Sequence, residues 1–95
     1  MPAYFIVDLE VTDAAGFDEY RKLVPDTIAK YGGRYLVRGG RTETLEGDWQ
    51  PQRVVVLEFP SVEQAKRWYD SEEYRDPKAL RWRTAKANLI LVEGA

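Results

Sequence analysis

The chain has 95 residues, 44% of them hydrophobic, with three Trp, six Tyr and three Phe, which suits one folded domain over residues 1–95 rather than a disordered segment. It contains no histidine and no cysteine. That removes Ser-His-Asp triads, histidine- or thiolate-ligated haem, cysteine nucleophiles, disulfides and Cys/His zinc sites together, and leaves Asp, Glu, Tyr, Lys, Arg or a self-reacting substrate to carry any chemistry.

Residues 4–11 alternate, with Phe5, Val7, Leu9 and Val11 on one face and Tyr4, Ile6, Asp8 and Glu10 on the other, which predicts a strand. The acids inside it and the missing basic leader argue against a signal peptide, no stretch reaches membrane-spanning length, and a cysteine-free chain reads as cytoplasmic. Asp13 is placed to cap a helix whose stripe is Phe17, Tyr20, Arg21, Val24, Ile28 and Tyr31. Pro25 interrupts that stripe and predicts a kink or short break near residues 21–24, and Gly32-Gly33 predicts a left-handed end.

Residues 34–38 (RYLVR) form the second predicted strand, bent or bulged at Gly39-Gly40, with 42–46 resuming in extended form and 47–51 turning. Residues 53–59 (RVVVLEF) are the most strongly β segment. Ser61 and Gln64 fit a capping box opening a helix at Val62, with Ala65, Trp68 and Tyr69 inward. Asp76-Pro77 reads as a second helix start, running to about residue 86, and 89–92 as the last strand. The order β-α-β-β-α-β predicts an α+β, ferredoxin-like antiparallel sheet with helices on one face.

Helices on one side leave a second sheet face. Strand parity gives it Tyr4, Ile6, Asp8, Leu36, Arg38, Val54, Val56 and Glu58, too apolar for water and too charged for a sealed core. Both properties fit a homodimer packed sheet to sheet. Asp8, Arg38 and Glu58 share that parity, and two readings stand. They are an ion-pair cluster fixing the dimer's register, or a polar pocket in which Arg38 binds an anion, Gly39 leaves room for it, and Asp8 or Glu58 is the catalytic base. Arg38-Gly39-Gly40-Arg41 reads as a bulge more readily than as an anion nest, lacking the full Gly-x-Gly-x-x-Gly spacing. Tyr69, Ser71 and Tyr74 either rim a ligand cleft or pack, and Trp82 either stacks a base or packs a helix.

The run KYGGRYLVRGG (30–40), the Glu46-Gly47 turn, RVVVLEFPS (53–61), WYDSEEY (68–74) and VEG (92–94) resemble the domain-of-unknown-function 1330 family over nearly the whole chain. One departure is Glu72, where the family commonly shows proline. The resemblance implies the dimeric α/β-barrel variant of the ferredoxin-like fold and no particular reaction. That wider group includes cofactor-independent monooxygenases, lactone isomerases and haem-dependent enzymes. Two hypotheses follow: a protein binding a small anionic or aromatic metabolite, with Arg38, Gly39, Tyr69 and Tyr74 as ligand contacts, or a cofactor-independent enzyme of the monooxygenase or isomerase kind. No cofactor and no metal site are assigned, and neither haem nor a catalytic transition metal is expected, since Tyr is the only common haem ligand left and carboxylates without histidine favour Mg²⁺, Ca²⁺ or Mn²⁺. A net charge of −2 favours neither nucleic acid nor an anionic membrane. Residues 54–59 also lack the glycine and stacking aromatics of an RNA-recognition strand.

Overall fold

A computed structural model describes residues 1–95 and contains seven elements: β1 (Ala3–Val11), α1 (Ala14–Lys30), β2 (Arg34–Arg38), β3 (Val54–Phe59), α2 (Val62–Tyr69), α3 (Glu72–Thr84) and β4 (Ala85–Glu93). The strands make one open antiparallel sheet in the order β2-β3-β1-β4, with the connectivity of the ferredoxin-like fold. The single chain's sheet is not closed into a barrel. No helix is long and apolar enough to cross a membrane.

The helix ends follow their local chemistry. Asp13 Oδ1 accepts from the Gly16 N–H at 3.1 Å, and Ser61 Oγ from the Gln64 N–H at 3.1 Å. Gln64 does not reach back to Ser61; its amide oxygen accepts from Arg67 instead. At the far end of α1, Gly32 (φ 80°) donates to Ala29 and Gly33 to Ile28, the paired bonds of a Schellman motif. Pro25 sits inside α1 without breaking it into two.

α3 begins at Glu72, capped by Ser71 Oγ on the Tyr74 N–H, rather than at Asp76-Pro77. It ends at Thr84, and β4 starts at once at Ala85, four residues ahead of the sequence expectation, because β1 is long enough to pair with it as far as Val11↔Ala85. Residues 42–46 belong to no strand.

Phe5, Val7, Leu9, Leu57 and Phe59 point under the helices and meet Phe17, Tyr20, Val24, Ile28, Trp68 and Tyr74 in one buried core. Trp82 is not part of it, being 61% exposed. On the other face Tyr4, Ile6, Val54 and Val56 are half-buried and Leu36, Val37, Ile90 and Val92 are exposed, with no helix over them.

Two residues, Val37 and Arg38, depart from the predicted parity. A bulge between Tyr35 and Val37 leaves Leu36 without a partner, so that Val37 lies opposite Val56 and Arg38 opposite Val55. Arg38 therefore belongs to the helix-covered face, not to the open face with Asp8 and Glu58.

Candidate functional site

Between the sheet and the helices lies a partly enclosed cavity. Its floor is Val7, Leu9, Val55, Leu57 and Leu89; α1 supplies Phe17, Tyr20, Val24 and Ile28, and the last two helices supply Trp68 and Tyr74. Four arginines, Arg21, Arg38, Arg53 and Arg81, also line it, and no acidic residue does. Arg38, Arg53 and Arg81 take part in no ion pair, and Arg21 has only the exposed Asp18, 3.8 Å away.

The arginines are held without anions. Pro25 has no N–H, so the carbonyl of Arg21, one turn earlier, lacks its helical donor. Arg38 Nη2 donates to that carbonyl at 3.3 Å, and its guanidinium lies over the Tyr35 ring, 4.5 Å from the centroid. The bulge in β2 and the proline in α1 thus act on one side chain. Arg53 lies 5.8 Å from the Phe17 ring centroid. Burial, followed by the nearby Arg21 and Arg38, pulls its pKa below the ordinary arginine value. Gly39 serves this arrangement directly: its φ is 73°, and a Cβ there would fall 2.6 Å from Arg53 Cζ. The space left by Gly39 is taken by Arg53. Arg81 is 4% exposed, and its Nε, like that of Arg53, is buried with no hydrogen-bond partner.

Tyr20 and Tyr74 share a hydroxyl–hydroxyl hydrogen bond of 2.8 Å. Burial raises the pKa of both; at Tyr20 the neighbouring Tyr74 adds to the rise, and at Tyr74 the Arg81 charge works against it. Both are phenols at neutral pH, able to donate and accept but unsuited to act as bases. The Tyr74 ring stacks on Trp68 at 4.0 Å.

The residues singled out from the sequence fall into three places. Arg38 and Tyr74 line the cavity, and Gly39 supports it through Arg53. Tyr69 stands outside, packed on Phe5 and covered by the Lys78 ammonium 4.1 Å from its centroid. Asp8 and Glu58 lie across the sheet. Asp8 accepts from Trp49 Nε1 and the Gln52 N–H, both at 3.0 Å, which ties down the β2–β3 loop, and Glu58 pairs with Arg34 at 2.6 Å. The predicted Asp8–Arg38–Glu58 cluster is not formed, because the bulge turns Arg38 to the other face. Sequence reasoning missed Arg53, Arg81 and Tyr20 as a group, although Arg53 directly precedes β3 at the parity of Val55 and Leu57.

A family model described as Domain of unknown function (DUF1330) matches residues 2–95. A search of curated proteins finds no match. Among solved structures, a protein of unknown function from Rhodopseudomonas palustris superposes with a TM-score of 0.79 at 18% identity, covering 99% of this chain and 82% of that one. A dimeric ferredoxin-like protein of unknown function from Jannaschia sp. CCS1 gives 0.72 at 11%, covering 99% and 100%. SnoaB, a cofactor-independent oxygenase from Streptomyces nogalater, gives 0.67 at 11%, covering 99% and 93%. At such identities the likeness is one of fold.

Proposed function

Starting from a chain that belongs to the DUF1330 family, we propose that it binds a small organic anion with an apolar body in the cavity between sheet and helices, and that it does so as a homodimer. One observation carries the ligand: four arginines and no acidic residue line a cavity that is otherwise mostly apolar. Arg81 is buried and Arg53 half-buried, each with an Nε that has no partner, and an anionic guest that accepts from the free guanidinium N–H groups removes the penalty of burying a cation without a counter-charge. The apolar remainder of the wall selects a guest with a hydrocarbon body.

Catalysis by Asp8 or Glu58 has no support from the geometry, since both lie on the opposite face. A reaction in the cavity would draw on the substrate's own reactivity, with cations and phenols orienting it; the shared fold with SnoaB supports only this cofactor-independent form of the enzyme reading.

The dimer rests on the apolar open face of Ile6, Val54, Val56, Leu36, Val37, Ile90 and Val92, which no helix of the same chain covers. The cysteine-free composition supports a cytoplasmic location.

The ligand reading is tested by thermal melts and calorimetry with small apolar carboxylates and phosphates, using their neutral amides as controls. Carboxylates are expected to raise Tm and amides not, and Arg38→Gln and Arg53→Gln are expected to remove the effect. A panel in which no anion shifts Tm overturns it. A stable monomer in sedimentation at micromolar concentration overturns the dimer.

A further inference from the structure

The four cations form two groups carried by different elements. Arg21, Arg38 and Arg53 belong to α1, the end of β2 and the approach to β3, and the charges acting on Arg53 are those of Arg21 and Arg38. Arg81 stands on α3, and its charge acts on the Tyr20 and Tyr74 hydroxyls. Phe17 neighbours both groups, with the Arg53 guanidinium 5.8 Å and the Tyr20 ring 5.4 Å from its ring centroid.

The second group is a built site in its own right. Arg81 is 4% exposed, has no ion-pair partner and keeps a buried Nε with nothing to bond to. Beside it, the Tyr20–Tyr74 bond uses one hydroxyl proton, which leaves the other free to donate. Arg81 and the two phenols line the same cavity, which thus offers an oxygen atom both a guanidinium N–H and a phenol O–H.

We propose that Arg81, with the Tyr20–Tyr74 pair, is a second recognition point, so that the ligand carries a carboxylate for Arg38 and Arg53 and a further oxygen acceptor, ketone or carboxylate, across an apolar span. The inference rests on the ligand-binding reading above and narrows it to oxo acids and dicarboxylates. An acid with a hydrocarbon end would leave Arg81 Nε and the free phenol proton unsatisfied, and a polar site that loses its partner discriminates far more strongly than an apolar one that loses a methylene.

Three five-carbon acids make the test: pentanoate, 4-oxopentanoate and glutarate, titrated calorimetrically into wild type, Arg81→Met, Tyr74→Phe and Arg38→Gln. The wild type is expected to prefer the oxo acid and the diacid over pentanoate by about tenfold or more. Arg81→Met is expected to erase that ratio and Tyr74→Phe, which loses one oxygen only, to reduce it; Arg38→Gln is expected to weaken all three acids together. Equal affinities in the wild type, or a ratio that survives Arg81→Met, overturn the second point while leaving anion binding intact. Failure of all three acids to bind overturns the underlying reading, and this inference with it.

Discussion

On the open face of the sheet, Asp8 accepts from Trp49 and Gln52 and Glu58 is bound by Arg34, whereas on the helix-covered face Arg38, Arg53 and Arg81 share a wall with no carboxylate. Both faces carry charge, but only the open one balances it. A carboxylate with its donors in place is a structural fastening, and here it anchors a loop and joins two strands. A guanidinium N–H buried without an acceptor, as at Arg53 Nε and Arg81 Nε, is a liability in the unliganded protein, and such groups persist where something outside the chain completes them. The contrast moves the site from the face where the acids stand to the face where they are missing.

The largest effects come from adding a charge to either face through adjacent residues of β3. Val55→Lys places a fifth cation in the cavity wall and is expected to destabilise by about 3 kcal/mol or more at any protein concentration. Val56→Lys acts on the open face, and its penalty should fall on association: Tm is expected to lose its dependence on protein concentration and sedimentation to show a monomer. Equal, concentration-independent losses in the two variants would break the distinction between the faces.

Removing a charge gives a smaller effect of opposite sign. Arg81→Met keeps an unbranched apolar stem and deletes a buried charge whose Nε has no partner, so the unliganded protein is expected to gain about 1–2 kcal/mol in denaturant titration. The matched change on the open face, Glu58→Gln, removes a compensated charge and is expected to cost under about 1 kcal/mol. A loss at Arg81 comparable to that of an ordinary core truncation would mean that its charge is satisfied and the contrast is mistaken.

How far the sequence carries this picture is decided by a few residues. Alternation in 4–11 and 53–59, the Asp13 and Ser61 caps and Gly32-Gly33 place the first three strands and the first two helices, because each is a local signal with a local cause. The start of α3 misleads because two cap signals lie five residues apart, and Ser71, with its hydroxyl on Tyr74 N–H, prevails over Asp76-Pro77. The site is misplaced by one unpaired residue. Gly39-Gly40 announces a bulge, but the slip occurs at Leu36, where nothing in RYLVR marks it, and a one-residue slip inverts the face of all that follows. Asp8's partners were equally hidden, since Trp49 and Gln52 lie in a loop about 40 residues away that no periodicity positions.

Pro25 offers a finer probe of the covered face. Pro25→Ala restores an N–H for the Arg21 carbonyl and so competes with Arg38 for it. Stability is expected to rise by about 1 kcal/mol through the recovered helical bond. Anion affinity should fall severalfold, because Arg38 loses one of the contacts that pre-set it at the cavity. An unchanged affinity would show that the Tyr35 ring alone is enough to position the guanidinium.

The smallest effect, and a control for the whole comparison, is expected at Glu73, a carboxylate on the helix side but outside the cavity. Lys30 and the Tyr31 hydroxyl, which donates at 2.8 Å, both bond to it and join the end of α1 to the start of α3. The Lys30 hydrogen bond, with further help from a backbone N–H and Tyr31, holds the Glu73 carboxyl down at about 2. A carboxyl with a depressed folded-state pKa stabilises above its unfolded value of about 4.3 and loses that contribution as pH falls toward its folded one. Lys30 is raised by the same bond, so its share is full below its ordinary value and fades as pH climbs past about 10. The Tm difference between wild type and Glu73→Gln should therefore be a low plateau between roughly pH 5 and 10, shrinking at both ends. Because the pair is exposed, salt should flatten the plateau, while anion binding in the cavity stays as it was. A Glu73→Gln protein that loses ligand affinity would tie this fastening to the site and blur the line between charges that hold the fold and charges that wait for a guest.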